Sequence, residues 1–152
     1  MSQENVQLVR TILDDVNADR SEVDAEGLLT RLADEELLDP DIEWDASEVP
    51  ILDLAGVYRG IEGVRQYWRS WLAAWELGHF EFTLLDAGDR VVALFHQQRM
   101  RGRSTGIEMP VPEYATVMTI RDGLLVHWKL YVSQSEALEA VGLSEQDVHG
   151  DS

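Results

Sequence analysis

Apolar residues recur at Val6, Val9, Ile12, Leu13 and Val16, with acids on the opposite side, so the spacing predicts a helix over residues 4–17. A second helical stripe, Leu28, Leu29, Leu32 and Leu37, predicts a helix from about Asp24, its N-cap, to Leu38. Asp39-Pro40-Asp41 ends it, because a proline disfavours helical geometry in the residue before it. Ile42 to Asp45 reads as a short strand and residues 46–60 as an irregular loop. A third helix opens at Gly60 and runs through Glu76, with Val64, Trp68, Trp71, Leu72 and Trp75 on one broad apolar face and Tyr67 at its flank. Beyond Gly78 the period falls to two. Phe80, Phe82 and Leu84 alternate with Glu81 and Thr83, and Asp86-Ala87-Gly88-Asp89 makes a turn. Residues 90–104 predict one long strand and residues 113–121 another. Asp122-Gly123 is a hairpin signal leading into a strand over 124–132. In that last strand Val126, Trp128 and Leu130 share one face, and His127, Lys129 and Tyr131 the other. Residues 135–141 predict a closing helix with Gly142 at its C-terminal cap.

Helices first and antiparallel strands last is the α+β order, unlike the strict alternation of a parallel doubly wound sheet. The expected architecture is a cone-shaped, curved antiparallel β-sheet wrapped by the three helices of the N-terminal half. At 152 residues, with no repeat, low-complexity tract or linker, the chain reads as a single domain over residues 1–143 and a flexible tail over 144–152.

Composition narrows the partners. Asp and Glu number 29 against 12 Lys and Arg, a formal charge of −17, and residues 1–50 carry 15 acids against 3 bases. Such a surface repels phosphate backbones and anionic headgroups, so neither nucleic acid nor membrane is an expected partner. No apolar run approaches a membrane span and no signal peptide opens the chain, so a cytoplasmic protein is the default expectation. Cysteine is absent, which excludes disulfides, thiolate metal ligands and thiol catalysis. His79, His96, His127 and His149 lack ligand spacing, and no phosphate-binding glycine motif or nucleophile elbow is present. No metal or nucleotide cofactor is expected.

Four strings carry a resemblance: DPDIEWD, GVYRGIEGVRQYWRSW, FTLLDAGDRVVAL and TIRDGLLVHWKLYVSQSEALEAVGL. Together they resemble the nuclear transport factor 2-like superfamily, and within it the SnoaL-like (polyketide cyclase) and ketosteroid isomerase-like proteins. The resemblance implies a cystatin-like α+β barrel, an apolar pocket for a small hydrophobic molecule, and a homodimer. It does not imply one chemistry, because the superfamily spreads isomerases, cyclases, hydrolases and binding proteins over one fold.

The resemblance places Asp45 where ketosteroid isomerases keep their catalytic aspartate. A carboxylate at the mouth of an apolar cone, its pKa raised by desolvation, can move a proton next to a carbonyl; equally, Asp45 can cap the turn that follows it. The isomerase tyrosine and second aspartate fall near Thr11 and near Ala115 or Thr116, leaving Thr116 as a weak donor to a developing oxyanion. His96 reads as a second acid/base, with Glu113 and Tyr114 in reach, or as a packed histidine. Ser133 stands where cyclase-like proteins keep a late acid. Arg99, Arg101 and Arg103 form a solvated or interfacial stripe. Trp44, Tyr58, Trp68, Trp71, Met118, Trp128 and Tyr131 either line a ligand site or are simply core. A homodimer is further expected from Val91, Ala93 and Phe95 if that parity of the long strand faces outward. Two functions follow: a cofactor-independent acid/base enzyme using Asp45 with His96 or Thr116, or a non-catalytic ligand-binding or dimerisation module.

Overall fold

In a computed structural model the described residues are 2–19, 36–51, 54–78, 80–144 and 146. The described elements are α1 (Ser2–Asp19), β1 (Leu38–Asp45), β2 (Val57–Arg59), α2 (Gly60–Ala74), β3 (Trp75–Leu77), β4 (Glu81–Ala87), β5 (Arg90–His96), β6 (Arg99–Gly102), β7 (Glu108–Pro110), β8 (Tyr114–Arg121), β9 (Leu124–Tyr131) and α3 (Gln134–Ala140). Most of the expected second helix, 24–35, lies outside the described residues. Its expected end does not hold, because Leu38 already begins β1.

Six strands form a curved, unclosed sheet in the order β2-β1-β9-β8-β5-β4. Every pair is antiparallel except β1 and β9, which run parallel. Register shifts between Leu38 and Glu43, where Pro40 removes a ladder donor, and between Thr119 and Ile120 in the β8–β9 pair. β3, β6 and β7 form a second, small sheet.

Alternation along the strands builds two cores on opposite faces. The larger joins Val9 of α1 and Val64, Tyr67 and Leu72 of α2 to Ile42, Trp44, Val91, Ala93, Phe95, Met118, Ile120 and Trp128. The smaller places Ala137 and Leu138 of α3 on Leu85, Val92, Leu94, Ala115 and Val117. The two helical faces are therefore concave (α1, α2) and convex (α3). The expected α+β fold with a curved sheet covered by helices is present, and the closing helix α3 covers the convex side. The outward parity is reversed: Val91, Ala93 and Phe95 are 0%, 0% and 7% exposed in the main core and offer no dimer surface.

Three sequence readings fail for local reasons. The long strand breaks at Gln97, which takes a left-handed backbone (φ 53°), while Gln98 turns inward and accepts a hydrogen bond from the Tyr114 hydroxyl at 2.8 Å. Trp75 leaves the helix for an extended conformation, its amide still bonding the Trp71 carbonyl, and pairs with Gly102 in the small sheet. The loop over 46–60 contains β2, too short to show a period. Gly123 (φ 77°) and Asp122 (φ 53°) do form the expected hairpin turn, and Gly142 (φ 79°) caps α3, whose start is held by the Ser133 hydroxyl accepting from the Glu136 amide.

Gly78 is where the two sheets meet. Its amide donates to the Arg99 carbonyl at 2.7 Å, and a Cβ there would sit 2.5 Å from that same oxygen. Backbone on both sides leaves little to yield, so Gly78→Ala should cost about 1–3 kcal/mol. At about 2–4 °C per kcal/mol for a chain of this size, thermal unfolding followed by circular dichroism should show a loss of several degrees.

Candidate ligand site on the concave face

Trp44, on β1, and its parallel neighbour Trp128, on β9, lie in register and stack with ring centroids 3.9 Å apart at 6°. α2 lays Tyr67 and Trp68 over this pair: Tyr67 is 5.9 Å from Trp44 and 6.0 Å from Trp128, and Trp68 meets Trp44 edge-on at 6.1 Å. Tyr58 from β2 and Trp71 from α2 close on Tyr67 at 5.3 and 6.4 Å. The Tyr58 ring is fixed by its hydroxyl, which donates to the Leu54 carbonyl at 2.8 Å. Edge-to-face geometry dominates this cluster, the arrangement ring quadrupoles favour.

Tyr67, expected at the flank of its helix, is its most buried aromatic at 1% exposure, whereas Trp68 and Trp71 are only half-buried. The helical stripe had pointed to the tryptophans; the i, i+3 relation of Val64 and Tyr67 was the available signal for the true centre of the face. Burial pushes the phenols of Tyr67 and Tyr114 well above their ordinary value, so both are neutral hydroxyls.

The sheet beneath is ordered in rows by register. One row runs Trp44, Trp128, Met118, Val91; the next runs Leu130, Thr116, Ala93, Leu84; a third joins Tyr114, Phe95 and Phe82. Small side chains at Thr116 and Ala93 thus lie between two bulkier rows. Four polar atoms buried on this side find no hydrogen-bond partner among the described residues: Nε1 of Trp44, Trp68 and Trp71, and Oγ1 of Thr116. The Trp71 indole faces the Tyr67 hydroxyl but misses hydrogen-bond geometry. Each such unpaired group costs on the order of 1–3 kcal/mol.

The other expected site residues sit on the convex face. Asp45 follows Trp44 by one position, so it points the opposite way. Its Oδ1 accepts from the Ser47 amide at 3.0 Å and the Ser47 hydroxyl at 2.6 Å, and Oδ2 lies 3.6 Å from Lys129 Nζ. Desolvation pushes this carboxyl up, but the two Ser47 hydrogen bonds, with Lys129 and His127 nearby, outweigh it, and Asp45 lies below its ordinary value. The expected upward shift is thereby corrected. Tyr131 lies under Lys129, 5.0 Å from Nζ to ring centre, and packs toward α3. His96 places Nε2 3.2 Å from Thr83 Oγ1 and Nδ1 3.0 Å from Glu113 Oε2, tying β4 and β5 to the start of β8. The arginine stripe is paired throughout: Arg99 with Glu108, and Arg101 and Arg103 with Glu76 at 2.9 and 3.5 Å. Among the described residues no group of three or more His, Cys, Asp or Glu gathers as a metal site, and no helix is long and apolar enough to cross a membrane.

The comparisons with known proteins agree with this architecture. Residues 18–128 match the model of the SnoaL-like domain. The chain belongs to the SnoaL-like domain family. Its fold is similar to that of a nuclear transport factor 2-like protein from Burkholderia xenovorans LB400, with 26% identity over 86% of this chain and 90% of that one and a TM-score of 0.60. An isomerase candidate from Bacillus subtilis superposes over 96% of this chain and 95% of its own with a TM-score of 0.63 at 19% identity. TerC, co-crystallised with polyporic acid, superposes over 90% and 97% with a TM-score of 0.61 at 16% identity. Curated proteins give no match. The SnoaL-like chain thus keeps the family architecture, while its Trp44 and Asp45 face opposite sides of the sheet.

The lowered Asp45 carboxyl makes a stability prediction. A group whose folded pKa is depressed contributes fully above its unfolded value, about 3.9, and loses the contribution as pH falls through the folded value. Asp45→Asn should therefore cost up to about 1 kcal/mol at pH 7 in urea unfolding, and the gap from wild type should close below about pH 4.

Proposed function

We propose that this SnoaL-like chain binds a planar hydrophobic small molecule against the concave aromatic face, and that it does so without Asp45 as a catalytic base. The observation that carries the reading is the half-buried pair Trp68 and Trp71, held by Tyr67 beside the Trp44–Trp128 stack. Partly open aromatic walls with few polar groups are the usual design of a small-molecule site. The TerC complex with polyporic acid is consistent with a ligand on this fold. Within this reading Trp44, Tyr58, Trp68, Trp71, Met118 and Trp128 line the site, Thr116 lies on its floor, and Asp45, His96 and Tyr131 lie outside it.

The enzyme reading requires a proton acceptor facing the ligand. Asp45 is turned away, held by Ser47 and Lys129, and has a lowered pKa, which makes it a weak base. A binding module is therefore favoured over an isomerase or cyclase working through Asp45. The homodimer implied by the family resemblance belongs to the same proposal. Exposed Ile107 and Met109, on the segment joining β6 to β7 and on β7 itself, replace Val91, Ala93 and Phe95 as its apolar candidates. Sedimentation equilibrium of wild type and Ile107→Asp should show a dimer weakened by the substitution; a monomeric wild type removes the dimer from the proposal.

The ligand experiment is a thermal-shift titration with 9-fluorenone on wild type, Asp45→Asn and Trp71→Ala. A ligand at about 100 times its Kd adds roughly 2.7 kcal/mol, several degrees for this chain length. Wild type and Asp45→Asn should shift alike and Trp71→Ala much less. No shift in wild type overturns the binding reading, and a shift abolished by Asp45→Asn returns Asp45 to the site.

A further inference from the structure

Three side chains from three segments form a connected set on the convex face. Thr83 on β4 alternates with Phe82 and Leu84 of the main core, and His96 on β5 and Glu113, the residue before β8, stand beside it. His96 Nδ1 lies 3.0 Å from Glu113 Oε2, and Nε2 lies 3.2 Å from Thr83 Oγ1. A carboxylate only accepts, so the proton of the neutral imidazole sits on Nδ1 and Nε2 carries the lone pair. The Thr83 hydroxyl is then the donor to Nε2. Carboxylate, imidazole and hydroxyl stand in the order that makes a hydroxyl a nucleophile. The acid fixes the tautomer, and the free ring nitrogen takes the hydroxyl proton.

The backbone around this set is held in place. Gln134 of α3 donates through Nε2 to the carbonyls of Phe95 and Tyr114, at 3.1 and 3.2 Å, the residues next to His96 and Glu113. One side-chain amide therefore fixes the spacing of base and acid. β4 is an edge strand of the six-stranded sheet. Ala87 and Arg90 pair across the turn Gly88-Asp89, and hydrogen-bonded pairs alternate along the ladder from there. The Thr83 amide thus points to Leu94, and the Leu84 amide points off the edge without a ladder partner among the described residues. An amide beside the nucleophile and directed out of the sheet is a donor for the oxygen of an attacked carbonyl. The set is open to solvent, with the His96 side chain 27% exposed and that of Glu113 61%. Glu81 stands opposite His96 in register and adds a second acid, so anionic acyl compounds are repelled and neutral esters fit.

We propose that Thr83, His96 and Glu113 form a second functional site, separate from the concave face, that transfers the acyl group of small neutral esters to water. Thr83 Oγ1 attacks the carbonyl carbon while its proton passes to His96 Nε2, and the Leu84 amide donates to the oxygen that takes up the negative charge. Collapse breaks the bond between the carbonyl carbon and the leaving oxygen, which departs as alcohol or phenol with the proton from Nε2. Water then attacks the acyl-threonine and gives a proton to Nε2. The acid is released as the Thr83 oxygen recovers that proton. Thr83 and His96 are the catalytic residues, and Glu113 is a positioning residue.

The test uses p-nitrophenyl acetate. Release of p-nitrophenol is followed for wild type, Thr83→Val, Thr83→Ser, His96→Asn and Glu113→Gln, with thermal midpoints taken for each. Wild type is also quenched in acid during the first turnover, digested, and searched for the acetyl group by mass spectrometry. The acetyl group should lie on Thr83. Thr83→Val and His96→Asn should each lose at least about tenfold in rate, and Thr83→Ser should keep the activity. A glutamine at position 113 can donate to Nδ1, which moves the ring proton to Nε2 and blocks the base. Glu113→Gln should therefore lower kcat at least about tenfold with KM within about twofold, a split that a purely structural tie between strands does not produce. Release no faster than in protein-free buffer overturns the proposal. So does an acetyl group carried elsewhere than Thr83, or a Thr83→Val variant as fast as wild type. The mapping needs no variant, so it decides the matter even where a substitution unfolds the chain. A Glu113→Gln variant as fast as wild type removes Glu113 from the set.

Discussion

The parallel pairing of β1 with β9 and the Trp44–Trp128 stack it creates decide which way the central strands face. Two indoles at 3.9 Å cover each other and present one large apolar surface, which α2 buries under Tyr67. Because the side-chain period of a strand is two, fixing Trp44 inward sends Glu43 and Asp45 outward. Fixing Trp128 inward likewise sends His127 and Lys129 outward, where the His127 ring meets Glu43 at 3.1 Å and Lys129 pairs with Asp45. β8 and β5 inherit the same phase through their registers, which is why Thr116 and Ala93 end on the concave side and Ala115, Val92 and Leu94 under α3. A one-residue slip at this stack would expose the rings and bury the charges, so the register is strongly specified.

Most of the element order was legible from periodicity, since both long helices and strands β4, β8 and β9 carry clear apolar alternation. The failures have a common cause. Short or irregular pieces such as β2, β3 and the break at Gln97 are set by partners distant in sequence: Glu43, Arg99 and Tyr114. No local pattern records a left-handed glutamine or a helix that ends because its next tryptophan pairs with a glycine 27 positions later. The phase of β5 was ambiguous for a different reason. Val91, Ala93 and Phe95 are as apolar as Val92 and Leu94, and both sets are buried, because helices cover this strand on both sides.

The site divided along the same line. Aromatic content and the α2 stripe pick out Trp44, Trp68, Trp71 and Trp128 by size, and large rings find a place in the core in any arrangement that buries them. Asp45 and His96 are candidates on chemistry, and chemistry depends on which face a residue occupies. His96 shows the point: its imidazole bridges Thr83 and Glu113, a complete set of partners on the convex side that needs no ligand. Tyr67 between tryptophans reads as a margin, yet its neutral, buried ring is the one that touches Trp44, Tyr58, Trp68, Trp71 and Trp128.

The adjacency of Trp44 and Asp45 carries the functional argument. A carboxylate at position 44 would sit against Trp128 and Tyr67, in surroundings that raise its pKa and make it a better base. At position 45 it meets Ser47 and Lys129, which stabilise the charged form and take away that basicity. What stands at position 44 instead is an indole, whose N–H donates a hydrogen bond and does not titrate near neutral pH. The single step along β1 therefore decides whether a carboxylate meets the aromatic rings under α2 or the Ser47 and Lys129 that stabilise its charged form.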